Sequence, residues 1–314
     1  MKHPSLPHDR SSELWVDYLP TEKLEASINR WVTTLMHDEG ITTPLARDED
    51  TVQAQIFTNE EGIVAGITVA NYLLKEWLPN TKWEWTIGDG GKVNAGKILL
   101  KIEGGKEQIL AAERTILNII GRLSGIATNT SNWVQRARPI RVASTRKVHW
   151  GLLDKWAVSL GGGMTHRLTR KDALMIKEND LATMKMEDEK GPHTISRVIN
   201  KLEISSLGAF GVLEVKTIDE AIAAAETWGE RMRSEGGTER LTIMLDNMPP
   251  EKARDVILDL DTRNFRNHVI VEASGGITFE SLPIWSELGV DVISSSALHR
   301  GVKPLDITML FDGV

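Results

Sequence analysis

Five basic side chains in the second half of the chain are the first candidates for chemistry. They are Arg146, Lys147, His166, Arg167 and Lys177. The whole chain is acidic, with 37 Lys and Arg against 44 Asp and Glu, so a local excess of cations needs a reason. Arginine presents a planar pair of N–H donors that matches a carboxylate or phosphate group. The set predicts a site for a small anionic molecule, although each cation alone is typical of a solvated surface.

Two acidic side chains, Glu214 and Asp246, end apolar stretches that we expect to be neighbouring strands. Carboxylate oxygens beside a phosphate-bearing ligand are the hard ligands that Mg²⁺ accepts while it keeps several waters. The pair therefore predicts a magnesium site. Structural ion pairs with Lys216 and the nearby cations are the alternative interpretation.

A glycine-containing loop, Ser274-Gly275-Gly276, opens the helix that we predict after the fifth strand of this half. Glycines let backbone N–H groups approach an oxyanion at a helix N-terminus. Ser294 ends the next predicted strand, and Ser295 and Ser296 follow it. The two loops together resemble the phosphate site that the last two strands of a β/α barrel provide.

Apart from His166 and Arg167, which lie just upstream of one such stretch, these groups end or follow short apolar stretches, so the elements that position them can be predicted. The predicted strands are Ile140–Ser144, Ala173–Ile176, Gly211–Val215, Leu241–Leu245, Val269–Ala273 and Val290–Ser294. Helical patterns over Ile218–Trp228, Glu251–Leu260 and Phe279–Leu288 separate the later strands. Such alternation indicates parallel strands covered by helices, with the carboxyl ends at one edge. The pattern favours an incomplete β/α barrel, with an open doubly wound sheet as the alternative.

The first half of the chain has a different pattern and predicts an α+β unit. Helices are expected over Leu14–Leu35, Val69–Trp77 and Glu107–Arg138, and strands over Val52–Phe57 and Ile63–Ile67. On the long last helix, Glu113 projects into an apolar face and Arg114 lies at its edge. Glu113 is therefore either an exposed flank or part of a structural ion pair, or it holds Arg114 pointing into a site.

Composition excludes several classes of protein. The 314 residues contain no cysteine, which excludes disulfide frameworks, zinc–thiolate sites, iron–sulfur clusters and cysteine nucleophiles. With 41% hydrophobic and 26% charged residues, the chain has the composition of a folded protein. Its start lacks the apolar stretch of a signal peptide, and no later stretch approaches the roughly 18 apolar residues of a membrane span. We expect a soluble, cytoplasmic protein that binds neither nucleic acid nor membrane.

Motifs along the chain resemble, in order, those of one enzyme family. They are Asp38–Thr43, Glu61–Gly66, Glu113-Arg114-Thr115, Leu123–Thr128, Thr145-Arg146-Lys147, Gly161–Gly163 with His166-Arg167-Leu168, Ile176-Lys177, Leu213–Val215, Met244–Asn247 and Glu272–Ile277. Together they resemble the quinolinate phosphoribosyltransferase family from about residue 25 to the C-terminus. The resemblance covers most of the chain and is more specific than any single motif.

The resemblance implies an α/β fold with two domains. An N-terminal α/β sandwich, residues 1–133, joins an incomplete β/α barrel with parallel strands, residues 134–300, and residues 301–314 return toward the first domain. It also implies a homodimer or a larger assembly of dimers. The implied reaction uses quinolinate, 5-phosphoribosyl-1-pyrophosphate and Mg²⁺. It yields nicotinate mononucleotide, pyrophosphate and carbon dioxide, a step of NAD biosynthesis.

The same resemblance assigns roles to individual residues. Thr145, Arg146, Lys147, His166, Arg167 and Lys177 line the implied quinolinate pocket, which Arg114 reaches from the neighbouring subunit. Glu214 and Asp246 hold Mg²⁺ and the ribose, and Ser274, Gly275, Gly276, Ser295 and Ser296 hold the 5′-phosphate. The expected catalytic residues are Lys147, Lys177, Glu214 and Asp246.

Two segments depart from the family pattern. Val148-His149-Trp150-Gly151 stands where the family has Thr-Thr-Pro-Gly, and Asp180 stands where a histidine is common. Both flank the expected pocket and bear on the choice of pyridine substrate. The alternatives are a transferase for another pyridine carboxylate, a non-catalytic pyridine-binding relative, and a Schiff-base aldolase that uses Lys177 or Lys216.

Overall fold

The computed structural model describes residues 6–46 and 48–312. Its strands are β1 (Trp15–Val16), β2 (Leu19–Pro20), β3 (Thr51–Thr58), β4 (Gly62–Ile63), β5 (Lys82–Trp85), β6 (Lys92–Val93), β7 (Ile98–Gly105), β8 (Arg141–Ser144), β9 (Leu174–Ile176), β10 (Gly211–Val215), β11 (Leu241–Asp246), β12 (Val269–Ser274), β13 (Val292–Ser295) and β14 (Ile307–Phe311). Its helices are α1 (Glu22–Asp38), α2 (Ile67–Trp77), α3 (Lys106–Arg136), α4 (Leu152–Leu160), α5 (Glu178–Met184), α6 (Gly191–Lys201), α7 (Ile218–Glu235), α8 (Pro250–Thr262) and α9 (Leu282–Ser286). The first five residues of the start that we compared with a signal peptide lie outside the described residues, as do the last two of the C-terminal segment.

Contacts within the chain divide it into two compact units. The first unit consists of Met1–Arg10, Trp133–Arg146 and Met164–Ser295, and it contains the parallel strands. The second unit consists of Ser11–Asn132, Lys147–Gly163 and Ser296–Val314, and it contains the antiparallel strands. The domain boundaries at residues 133 and 300 stay a prediction.

The first unit is built on a six-stranded parallel sheet in the order β8-β13-β12-β11-β10-β9. All five residues of β10 and the first five of β11 and of β12 are buried. Valine, isoleucine and leucine occupy both faces of these strands, which is why the stretches are continuously apolar rather than alternating. Within the described residues β8 and β9 are the two edges of this sheet, so it stays open. The predicted α/β fold with an incomplete barrel of parallel strands is confirmed.

The register of this sheet places the carboxyl ends of its strands at one level. Asp246 of β11 lies opposite Ser274 of β12, which lies opposite Ser294 of β13. Ser295 in turn lies opposite Ser144 at the end of β8. Side chains that follow the strands therefore start from a common edge, where ligands of parallel α/β sheets bind.

The second unit is built on a four-stranded antiparallel sheet in the order β14-β3-β7-β5. Helix α1 packs against α2 and α4. Its buried face consists of Leu24, Ile28, Val32 and Met36, each four residues after the one before. The C-terminal strand β14 pairs with β3 and forms one edge of the sheet.

The longest helix, α3, has 31 residues and carries Arg114. Charged and polar side chains recur along its length, including Glu107, Arg122 and Arg136. In the described part of the chain, no helix is both long enough and apolar enough to span a membrane.

The start of α1 differs from the prediction. The helix begins at Glu22 rather than at Leu14. Asp17 and Tyr18 adopt left-handed backbone conformations, with φ of 49° and 64°, and reverse the chain between β1 and β2. Two successive residues in this region cannot continue a right-handed helix, so the apolar spacing before Glu22 was misleading.

The predicted strand Ile63–Ile67 also ends early, because β4 stops at Ile63. Asp89 accepts hydrogen bonds from the backbone N–H groups of Ile67 and Thr68, both at 2.9 Å. These bonds satisfy two of the free donors at the N-terminus of α2, and the helix begins there instead.

Candidate active site

Three arginines of the unit with the parallel sheet are close enough for their charges to interact. Arg146 follows β8, and Arg167 and Arg170 lie in the loop before β9. Arg167 is only 9% exposed. Burial lowers the pKa of Arg167, and the positive charges of Arg146 and Arg170 lower it further. A largely buried guanidinium that is repelled by two others is stabilised by an anion, which the cluster is suited to bind.

Two ion pairs join neighbouring strand ends in the same unit. Lys177 Nζ, after β9, donates to Glu214 Oε2 of β10 at 2.6 Å, with side-chain exposures of 49% and 10%. Lys216, after β10, pairs with Glu178. This pair raises the pKa of Lys216, and the charges of Asp246 and Glu214 raise it further. Glu214 and Asp246 lie on the neighbouring strands β10 and β11, and the charges of both act on this ammonium group.

Asp246 is linked to the glycine loop through Asn247. The side-chain amide of Asn247 donates to Asp246 Oδ2 at 2.9 Å, and its backbone N–H donates to the Ser274 carbonyl oxygen at 2.8 Å. Gly275 has φ of 87° and Gly276 has φ of 65°, in the left-handed region that favours glycine. A Cβ atom on Gly275 would also collide with the Asn247 side chain. The loop thus has the backbone freedom that close approach of an oxyanion requires.

His166 is held by a buried carboxylate. The histidine is 5% exposed and adopts φ of 53°, which is uncommon for a residue with a Cβ atom. Its Nδ1 accepts a hydrogen bond from the backbone N–H of Arg167 at 2.8 Å. Its Nε2 lies 3.0 Å from Glu272 Oε2, and His8 Nε2 lies 3.2 Å from the same oxygen.

Three of the predicted site residues belong to the other compact unit. Lys147, Ser296 and Arg114 are part of the unit with the antiparallel sheet, and their roles stay predictions. Arg114 is exposed and lines a groove of 520 Å³ on α3 together with Arg122. In the described residues Glu113 is half-buried and makes no hydrogen bond to Arg114, which argues against the interpretation in which it holds that arginine.

The first departure from the family pattern forms the turn before α4. The backbone N–H groups of His149 and Trp150 donate to Asp154 Oδ2 at 2.7 and 3.1 Å. Arg122 donates to both oxygens of this buried carboxylate, and its guanidinium lies 5.0 Å from the centre of the Trp150 ring. The Trp31 ring stacks on Trp150 at 5.7 Å. The segment is thereby fixed by its own hydrogen bonds and ring contacts.

The second departure, Asp180, has a structural and an electrostatic effect. Its Oδ2 accepts a hydrogen bond from the backbone N–H of Lys177 at 2.9 Å, at the start of α5. Its negative charge raises the pKa of Arg167, against the effect of the other arginines. Asp180 is therefore close enough to moderate the positive charge of the arginine cluster.

Sequence reasoning did not single out Arg170, Glu272 or His8 as members of this site. Glu272 did carry a signal, because it is the one charged residue in the apolar stretch Val269–Ala273. His8 carried none, since 264 positions separate it from the carboxylate that it contacts.

Comparisons with known proteins agree on one family. The model of the quinolinate phosphoribosyl transferase C-terminal domain matches residues 126–310, and that of the N-terminal domain matches residues 39–124. A probable nicotinate-nucleotide pyrophosphorylase [carboxylating] of Methanothermobacter thermautotrophicus is 36% identical over 285 residues, covering 88% of this chain and 94% of that protein. Quinolinate phosphoribosyltransferase [decarboxylating] 1 of Nicotiana glauca is 36% identical over 272 residues, covering 83% and 73%.

Solved structures give the same result. The nicotinate-nucleotide pyrophosphorylase from Francisella tularensis superposes with a TM-score of 0.75 at 27% identity, covering 92% of this chain and 97% of that one. The sequence and the fold of this chain therefore lead to the same assignment: the chain belongs to the quinolinate phosphoribosyltransferase family.

Proposed function

We propose that the protein transfers the phosphoribosyl group of 5-phosphoribosyl-1-pyrophosphate to quinolinate. The ring nitrogen of quinolinate bonds to C1 of the ribose and pyrophosphate leaves. The carboxylate at C2 departs as carbon dioxide, and a proton takes its place, which gives nicotinate mononucleotide. The observation that carries this proposal is the arginine cluster, because its member Arg146 follows β8 at the strand edge that also holds two carboxylates and a glycine loop.

The arginine cluster suits a dianionic pyridine. Quinolinate has carboxylates at adjacent ring positions, and planar guanidinium groups bind carboxylates with two parallel hydrogen bonds. A bound dianion would offset the repulsion that Arg146 and Arg170 exert on Arg167. We assign Arg146, His166 and Arg167 to this pocket, with Thr145 at its edge.

The same positive charges suit the loss of carbon dioxide. Decarboxylation leaves an electron pair on C2, next to a ring nitrogen that is cationic once it carries the ribose. Fixed positive groups around the ring stabilise this charge without having to reorganise during the reaction. The protein thus contributes mainly orientation and electrostatics.

Glu214 and Asp246 fit a magnesium ion. Both are oxygen donors at an open strand edge, and Mg²⁺ takes one or two carboxylates while phosphate oxygens and waters complete its shell. When bound, Mg²⁺ supplies charge neutralisation for the leaving pyrophosphate. Lys177 restrains Glu214 through their 2.6 Å ion pair, so this carboxylate is held before the substrate arrives.

The loop Ser274–Gly276, together with Ser295, is our proposed 5′-phosphate site. Ser274 and Ser294 pair across β12 and β13, so the two loops begin beside each other. We keep Lys147 and Ser296 as substrate-binding residues and Arg114 as a contribution from a second subunit of a homodimer. These three assignments rest on the family motifs, and the cytoplasmic location also remains a prediction.

The test is an assay of the purified protein with quinolinate, nicotinate and nicotinamide side by side. Each reaction contains 5-phosphoribosyl-1-pyrophosphate and Mg²⁺, and carbon dioxide and nicotinate mononucleotide are both measured. We expect equal amounts of the two products from quinolinate and none from the other pyridines. Turnover of nicotinate without release of carbon dioxide would refute the substrate assignment, and tight quinolinate binding without products would identify a non-catalytic relative.

The Schiff-base alternative is disfavoured by the state of its lysines. A nucleophilic lysine must be neutral, and its pKa is normally lowered by burial or by nearby cations. Glu178, Asp246 and Glu214 instead raise the pKa of Lys216. The Lys177 side chain is already engaged in an ion pair with Glu214, with 2.6 Å between Nζ and Oε2.

A further inference from the structure

A fully buried carboxylate lies beneath the proposed quinolinate pocket. Glu272 occupies the middle of β12 and has no exposed surface. Its oxygens lie 3.0 and 3.2 Å from His166 Nε2, and one of them lies 3.2 Å from His8 Nε2. The Thr242 hydroxyl lies 3.3 Å from the same nitrogen of His8. A buried carboxylate is tolerated only with such partners, so the arrangement has a specific purpose.

The hydrogen bonds determine where His166 carries its proton. Its Nδ1 accepts the backbone N–H of Arg167 at 2.8 Å and must therefore be unprotonated. The proton of the neutral ring is then on Nε2, which donates it to Glu272. The carboxylate oxygens of Glu272, which lie within 3.2 Å of the Nε2 atoms of both His166 and His8, accept these hydrogen bonds.

The same reasoning argues against a metal ion at this place. His8, His166 and Glu272 offer three possible ligand atoms within 4.8 Å of one another. A histidine nitrogen that carries a proton has no lone pair for a metal. Since His166 uses Nδ1 as an acceptor and Nε2 as a donor, the group is a hydrogen-bonded chain.

The last member of this hydrogen-bonded chain, His8, lies on a segment that also contacts the loop carrying His166 and Arg167. The backbone N–H of Arg10 donates to Thr165 Oγ1 at 2.8 Å, and Arg10 Nε donates to Asp172 Oδ1 at 3.3 Å. Leu6 packs against the apolar cluster Ala143, Met164, Ile270 and Val292. The segment precedes the residues that match the family models, which begin at residue 39.

We infer that His8 and Glu272 are positioning residues that hold His166 in the Nε2–H tautomer, and with it the backbone of Arg167, for quinolinate binding. The inference deepens the proposed function and rests on it. His166 is in a left-handed conformation. Such a conformation costs free energy and persists only where neighbouring groups enforce it. The buried contact to Glu272 supplies that restraint, and His8 holds the carboxylate from the opposite side. An amino-terminal segment outside the matched region thus supports the substrate pocket.

The test combines kinetics with a tautomer measurement on the full-length protein. Two substitutions remove a partner, Glu272→Met and His8→Ala, and two conservative ones keep a hydrogen-bonding atom, Glu272→Gln and His8→Gln. His193→Gln, an exposed histidine on α6, is the matched control. The KM values for quinolinate and for 5-phosphoribosyl-1-pyrophosphate are measured separately. Spectra of ¹⁵N-histidine-labelled protein, assigned with His166→Asn, report which nitrogen of His166 is protonated.

We expect Glu272→Met to raise the quinolinate KM about 10-fold or more and His8→Ala roughly 5-fold, the scale of one lost hydrogen bond to a charged group. The KM for the other substrate changes less than 2-fold, and the conservative variants recover most of the loss. The wild-type spectrum shows His166 protonated at Nε2, and Glu272→Met shifts protonation toward Nδ1.

Three results would overturn the inference. They are a wild-type His166 protonated at Nδ1, equal rises in both KM values, and an unchanged quinolinate KM in folded His8→Ala. If Glu272→Met does not fold, the wild-type spectrum and the two His8 variants decide the question. A wild-type protein that is inactive toward quinolinate would refute the proposed function. The spectra do not depend on turnover, so the tautomer result would still test the positioning role.

Discussion

His299 is a buried histidine without hydrogen bonds in the described part of the chain. It is 2% exposed, and neither ring nitrogen has a partner there. Burial lowers the pKa of His299 from an ordinary value of 6.5 to about 4. The nearby charge of Asp154 opposes this effect, while the cations around it, Lys155 and Arg122 among them, add to it. The folded protein therefore keeps this side chain neutral at pH values where the unfolded chain protonates it.

The consequence is a stability that depends on pH. Between pH 6.5 and about 4 the unfolded state binds more protons at this position than the folded state. The free energy of unfolding contributed by His299 is thus complete above pH 6.5 and is lost as the pH falls through this range. The pKa difference corresponds to about 3 kcal/mol, at ~1.4 kcal/mol per pH unit.

The perturbation that tests this is His299→Leu, which removes the titrating group and keeps an apolar side chain of similar size. Urea unfolding is measured from pH 8 to pH 4 at one fixed protein concentration, because association shifts apparent stability. We expect the wild type to lose about 3 kcal/mol more than the variant over this range. His193→Leu, at an exposed position, should behave like the wild type. Parallel pH profiles for the wild type and His299→Leu would refute the reasoning.

Asp246→Asn keeps the shape of the side chain and removes the charge, so we expect kcat to fall about 100-fold with an unchanged circular dichroism spectrum. Wild-type turnover with the same Mg²⁺ dependence would exclude Asp246 from the site. Arg167→Lys keeps the charge and loses the planar pair of donors, so the quinolinate KM should rise roughly 10- to 100-fold while binding of 5-phosphoribosyl-1-pyrophosphate is unaffected. Equal losses for both substrates would mean that Arg167 has another role. Arg114→Ala and Lys177→Ala should each be inactive, but mixed dimers should regain part of the activity, since one site then contains both intact residues. No recovery in demonstrated heterodimers would place Arg114 outside the partner's site.

The parallel strands could be predicted because buried strands have a distinctive, mostly apolar local sequence. The stretch Gly211–Val215 was predicted with the bounds that the structure gives, and all five of its residues are buried. A strand that is buried on both faces is mostly apolar along its whole length, whereas a strand with one exposed face alternates. Polar residues at the ends of such strands could therefore be placed at one edge without knowledge of long-range contacts.

Contacts between distant parts of the chain could not be predicted in the same way. Glu272 contacts His8, which lies 264 positions away in the sequence. No local pattern in the sequence predicts that contact. The predicted start of α1 was wrong for a different reason. The left-handed residues Asp17 and Tyr18 interrupt a segment whose apolar spacing favours a helix.

The pairing of β14 with β3 has a consequence for how the chain is made. Strand β3 is complete at Thr58, yet its neighbour β14 begins only at Ile307. During translation, one edge of β3 therefore stays unpaired while the residues between the two strands are made. The unit with the parallel sheet is complete at Ser295 and can form before that edge is covered. A chain truncated before Ile307 leaves the antiparallel sheet open, with β3 available to pair with another nascent chain.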